Sequence, residues 1–400
     1  MKIKNIFSWM FLFSASALLA IGRVYDERLE IFEVNFSIVL SIIYAASSFI
    51  LLLSIKKITL GKSKQFFFLF FIFIFIVTPV LWTIYGYTDY GILKYINFIL
   101  IVIPITIIIS DKFNYYDVFN LYKILFLVAA TLSILGVFVL SNTYGSLSVL
   151  GGGPIVFARW MSFAILILIF IPNLKWRKLR FLLAGFFFLL ALAAGSRGPI
   201  AALFLSLITF LALNFTKVFY KLILFSILFT IGIMFTTVGK KVMDIGSVDR
   251  IFMNLNTHGL IKQSTGARFD FMNSSVLLFK EYPLGVGCGN WQSQINKINK
   301  EHLMAHPYPH NLILELANEY GLFGISIFLL LMLQVFFLAY KKMLKYKNDS
   351  SSFYPLLFYA FIFLFLNSTV SGDLGDARML FVVIAMIVIP KPLILPSDEK

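Results

Sequence analysis

Between residues 266 and 324 this 400-residue chain gathers a dense set of side chains that could do acid–base or anion chemistry. Arg268, Lys280, Glu281, His302, His306, His310, Asn311, Glu315 and Glu319 all fall in that one stretch. Three of the four histidines lie within nine residues, ending in the run His306-Pro307-Tyr308-Pro309-His310-Asn311. Each proline biases the residue before it towards extended backbone, so His310 is expected at the start of a helix over 311–319. An imidazole in that position can take a proton from a hydroxyl. It can equally be structural, and a zinc site would want an H-E-x-x-H or paired-cysteine arrangement that is absent.

Two arginines extend the chemistry. Arg197 stands in a Gly195-Ser196-Arg197-Gly198-Pro199 turn between two apolar runs. A guanidinium in a glycine-flanked turn at a helix start suits the paired oxygens of a phosphate; an interfacial anchor that snorkels to the surface is the plainer reading. Arg268 opens an expected amphipathic helix over 268–281, with Phe269, Met272, Val276 and Phe279 near helical spacing on a face that would lie along a membrane surface. Pro283 ends that helix, and Gly285, Gly287 and Gly289 make a tight turn. Without a Walker lysine or a βαβ frame those glycines do not indicate a nucleotide site. Cys288, the lone cysteine, can form no internal disulfide and reads as a small buried residue. Asp26, Glu27, Asp373 and Asp376 read as solvated loop charges.

The elements that must hold these residues are membrane helices. Hydrophobic residues make up 60% of the chain and charged ones 13%, half the share of a soluble domain. Apolar runs long enough to span recur along its whole length, and the alternating strands of an outer-membrane barrel are missing. Twelve spans are expected at about 5–22, 37–55, 66–86, 92–110, 118–140, 155–172, 180–194, 199–215, 219–238, 321–340, 353–370 and 379–395. The first resembles a signal peptide but reads as an uncleaved helix. The net charge of +15 does not imply nucleic acid, because the basic residues sit between spans. Simple alternation puts Lys56, Lys57, Lys175, Arg177, Lys178, Lys341, Lys342 and Lys345 on one side, hence cytoplasmic, with both termini. The chain therefore divides into a bundle over 1–238, an outward loop over 239–320 and a final bundle with cytoplasmic tail over 321–400. An all-α polytopic membrane protein of about twelve transmembrane helices is the expected fold class.

His310-Asn311, nine residues, Gly321, two residues, Gly324 resembles the H-N-x9-G-x2-G signature of the O-antigen ligase and O-antigen polymerase family (Wzy/WaaL). The Ser196-Arg197-Gly198 turn and the Gly266 to Gly289 segment resemble the same family, in its order. The resemblance covers 195–340 specifically. It implies a GT-C-like helical glycosyltransferase of the bacterial inner membrane, with its active site on the periplasmic face. The donor would be an undecaprenyl-diphosphate-linked glycan. Carried over, Arg197 and Arg268 would hold the diphosphate, His310 would act as base, and Arg159, His306 and Asn311 would contact substrate. No cofactor or metal is implied; a chain-length regulator is a possible partner. Polymerase is the favoured reading, ligase to lipid A core the alternative, and a lipid-linked oligosaccharide flippase the reading from a different class. A flippase would want charges in a central cavity and related halves, neither of which the sequence suggests.

Overall fold

Long apolar stretches with no water to satisfy their backbone become helices, because only a helix closes its own hydrogen bonds within one segment. The computed structural model describes residues 2–26, 29–31, 34–55, 61, 64–140, 147, 149, 153–172, 177–214, 260–298 and 307–395. In chain order the helices are α1 (Lys2–Ile21), α2 (Phe36–Leu53), α3 (Gln65–Tyr85), α4 (Asp89–Asn97), α5 (Ile103–Lys112), α6 (Tyr115–Leu140) and α7 (Gly153–Phe170). They continue as α8 (Arg177–Ala193), α9 (Arg197–Asn214), α10 (Leu260–Glu281), α11 (Trp291–Ile298), α12 (Leu312–Tyr346), α13 (Tyr354–Val370) and α14 (Arg378–Ile387). A two-residue antiparallel ribbon, β1 (Glu30–Ile31) with β2 (Val34–Asn35), precedes α2, paired Glu30 to Asn35 and Ile31 to Val34.

Seven described helices are long and apolar enough to cross a membrane, and three shorter apolar ones accompany them. The protein is an all-α polytopic membrane protein. The expected span at 219–238 lies outside the described residues, as does part of the outward loop. The span expected at 92–110 is α4 and α5 joined through a π-helical turn over Phe98–Val102. That wider turn leaves the Ile101 carbonyl for the Tyr44 hydroxyl, which donates to it at 2.7 Å. The last span is shorter than the expected 379–395. The chain leaves the helix after Ile387, where Lys342 Nζ donates to the Ile387 and Ile389 carbonyls at 2.7 and 3.0 Å. Pro390, with no amide to donate, follows directly.

The chain forms two compact units. The larger comprises residues 1–128, 170–174 and 270–400. Its centre is α14, whose ten residues are all buried, and a helix apolar on every side must lie inside others. Phe381 stacks on Phe70 at 5.6 Å and meets Phe98 edge-on at 5.6 Å, tying α14 to α3 and the π-helical turn. Arg378, at the head of α14, is 7% exposed. Its Nε donates to the Leu19 carbonyl at 2.5 Å and Nη2 to the Ala20 carbonyl at 3.2 Å. It thus supplies the donors that the last turn of α1 lacks. The smaller unit comprises residues 129–169 and 175–269. Within it Phe188 of α8 packs edge-on against Phe204 of α9 at 5.8 Å, and Arg180 Nε donates to the Leu168 carbonyl of α7 at 2.7 Å.

Candidate active site

The H-N-x9-G-x2-G run is first of all a backbone construction. Asn311 is the N-cap of α12: its side-chain oxygen accepts from the Ile313 and Leu314 amides at 2.9 and 3.1 Å, filling two of the donors that every helix start leaves open. Three turns on, Gly321 breaks the helix, with φ 65° and ψ −163°. The segment after α10 lies against that break. Val286 N donates to the Asn318 carbonyl at 3.0 Å and Gly287 N to the Glu319 carbonyl at 2.8 Å. Leu322 N donates back to Pro283 O at 2.9 Å. A Cβ on Gly321 would stand 2.5 Å from Pro283 O, and one on Gly285 would stand 2.7 Å from Glu319 O. Only glycine lets the two backbones approach this closely.

The other edge of the same segment is fastened to the α3–α4 turn. Trp82 Nε1 donates to the Cys288 carbonyl at 2.9 Å, Thr88 Oγ1 to the Gly289 carbonyl at 3.0 Å, and Asn290 Nδ2 to the Gly86 carbonyl at 2.7 Å. Cys288 is wholly buried in this seam, and burial pushes its thiol far above the usual range. It is a packing residue, as the sequence suggests, and no nucleophile.

His310 stands just ahead of the cap. It is the one non-glycine with positive φ among the described residues, at 56°. Such a pose is uncommon outside glycine and persists where the surroundings impose it. They are aromatic. The Tyr308 ring lies 4.5 Å from the imidazole and the Phe271 ring 5.7 Å away. Phe271 meets Trp291 edge-on at 5.8 Å, and Trp291 Nε1 donates to Ser275 Oγ at 3.0 Å. Tyr308 in turn stacks on Tyr90 at 6.2 Å, 13° from parallel. The Tyr90 hydroxyl donates to the Asp373 carboxylate. The sequence reading of Asp373 as a solvated loop charge is therefore corrected: it is half-buried and engaged by a phenol from α4.

Below the aromatic layer lies a buried charge cluster that the sequence reading missed. Lys94 of α4 donates to Glu315 Oε1 and to both oxygens of Glu319, the latter at 2.7 and 2.6 Å. All three side chains are at most 1% exposed. The available signals were a single lysine inside an apolar run and two glutamates spaced i, i+4 after the histidine.

In the smaller unit, Arg197 opens α9 directly after Gly195, whose φ is 67°. Arg268 is exposed on α10. Its guanidinium is held below the usual arginine range, first by partial desolvation and then by the like charge of Arg197. The two guanidinium groups therefore lie within electrostatic reach of each other, and neither has an ion pair among the described residues. Two neighbouring cations of this kind have the chemistry to suit a multiply charged anion. Arg159 is half-buried on α7. His306 lies outside the described residues. The helix bearing Arg268 starts earlier than expected, at Leu260, and the apolar stripe expected along a membrane surface is free of protein packing over most of its length. Phe269, Met272 and Val276 are exposed, whereas Phe271, Ser274, Ser275 and Leu278 are buried.

Residues 182–329 match the family model described as O-antigen ligase. Over that segment, little more than a third of the chain, the protein is similar to the O-antigen ligase family. The matched segment takes in Arg197, Arg268 and His310 together with the Gly321 break; Lys94, Arg159 and Asp373 lie outside it. No curated protein matches the chain. That likeness supports an enzyme of the glycosyltransferase type in surface-polysaccharide assembly at a membrane.

Proposed function

We propose that this protein is an O-antigen polymerase of the bacterial inner membrane. It transfers glycan from an undecaprenyl-diphosphate-linked donor to a sugar hydroxyl of a lipid-linked repeat unit, at the periplasmic face, with both termini in the cytoplasm. The observation that carries this reading is the pairing of Arg197 with Arg268 without a neutralising carboxylate. In the reaction the acceptor oxygen bonds to the anomeric carbon while the bond from that carbon to the diphosphate breaks. The hydroxyl proton passes to the His310 imidazole, and undecaprenyl diphosphate leaves carrying the electron pair. The two guanidinium groups stabilise the charge that grows on the leaving group, and fixed cations in a partly dehydrated site do this without reorganising. Arg159 and His306 contact substrate. The commitment of the Asn311 carbonyl oxygen to the α12 amides favours a supporting role for that residue over a binding one.

Replacing Arg197 or Arg268 by alanine is expected to lower turnover by about 10²–10³-fold each, the usual cost of losing one charge-stabilising donor. Lysine at either place should recover only part, because it lacks the planar fork. The assay is polymer formation in membrane vesicles supplied with lipid-linked repeat units. Full activity in both alanine variants would remove the arginines from the mechanism.

The ligase reading is kept because the matching family model carries that description. Deletion and complementation separate the two. Lipid A core bearing a single repeat unit on a gel is the outcome expected for a lost polymerase. Bare core with polymer retained on the carrier marks a lost ligase and overturns the proposal.

A further inference from the structure

The cluster beneath His310 does not balance. One ammonium, Lys94, faces two carboxylates, Glu315 and Glu319, all sealed from solvent. Both oxygens of Glu319 bond Lys94. Glu315 Oε1 also bonds Lys94, but Glu315 Oε2 is buried and has no hydrogen-bond partner among the described residues. Among the described residues the other titratable neighbours add no positive charge: they are Tyr90, Asp373 and Tyr320, with Cys288 from the glycine segment. A buried carboxylate left without a counter-charge is costly enough that it takes up a proton instead.

We propose that Glu315 is a neutral carboxylic acid carrying its proton on Oε2, and that with Lys94 it positions His310 for the transfer reaction. The connection is continuous. Lys94 Nζ lies 5.6 Å from the centre of the Tyr90 ring, Tyr90 stacks on Tyr308, and Tyr308 packs on the imidazole. Ionised, Glu315 would repel Glu319 and Asp373 and draw Lys94 away from the ring. The stack that imposes the positive φ of His310 would then slacken. The positioning role rests on His310 acting as the base; the protonation of Glu315 does not.

Infrared spectroscopy of the protein in lipid nanodiscs tests the proton directly. A carbonyl stretch of a protonated carboxylic acid is expected at neutral pH, lost in Glu315→Gln and stronger in Lys94→Met, where neither carboxylate keeps its counter-ion. Absence of the band in the wild type, or its survival in Glu315→Gln, overturns the proposal. The positioning role is read from the pH profile of transfer. Turnover of the wild type should fall at alkaline pH as Glu315 ionises. Glu315→Gln, which cannot ionise, should keep neutral-pH kcat within a few-fold and lose that alkaline decline. An unchanged alkaline limb, or a loss of turnover in Glu315→Gln as deep as in a His310 variant, overturns the positioning role. A band present in the wild type and lost in Glu315→Gln, together with a wild type inert in transfer, would uphold the proton and refute the transfer reading instead.

Discussion

His310→Ala will lower glycan transfer by about 10²–10⁴-fold, the range for removing a positioned general base. Carrier binding should be nearly unchanged, because the diphosphate is assigned to Arg197 and Arg268. The loss should therefore appear in kcat and leave KM for the donor close to wild type. The fold should survive: the neighbouring cap belongs to Asn311, and the ring contacts to Tyr308 and Phe271 are small beside it. Single-turnover transfer with purified lipid-linked donor, beside a donor-binding measurement, checks both parts. Retained turnover in His310→Ala would leave the reaction without its base.

Gly321→Val is the structural counterpart. A β-branched residue at φ 65° is a genuine outlier, and its Cβ would stand 2.5 Å from Pro283 O. The segment over 283–289 would have to lift from α12, exposing its hydrogen bonds to Asn318, Glu319 and Leu322. The cost should exceed about 4 kcal/mol, where strain and lost backbone bonds combine. Leu322→Ala, next along the chain but 57% exposed, should change stability by less than about 0.5 kcal/mol. Thermal unfolding followed by fluorescence-detected size exclusion compares the two. Equal stability in both variants would mean the break in α12 is not locked as described.

Much of this could be read from the chain itself. Apolar runs gave the helices because in lipid a continuous apolar segment has no other good conformation. Asn311 before an apolar helix is a local signal, since an N-cap needs only its own next turn. The glycines were visible as punctuation, but not their reason: two backbone segments must meet, and spacing along one strand does not name its partner. Lys94 was silent for the same cause. Its carboxylates lie 221 and 225 residues away, and a lone lysine inside an apolar run reads the same whether it snorkels or pairs. The buried face of α10 was not legible for another reason. In lipid, exposed positions need not be polar, so apolar spacing does not separate outside from inside as it does in water. Phe271 packs while Phe269 and Met272 face outward.

The break in α12 also bears on how a long-tailed substrate enters. Peeling away the glycine segment would strand the Asn318 and Glu319 carbonyls and the Leu322 amide, each at about 1–3 kcal/mol where water is scarce. A hinge with that penalty stays shut on the timescale of turnover. The Pro283 to Gly289 strip is thus a fixed wall, and in the proposed reaction the donor's lipid tail would have to enter along some other side of the protein.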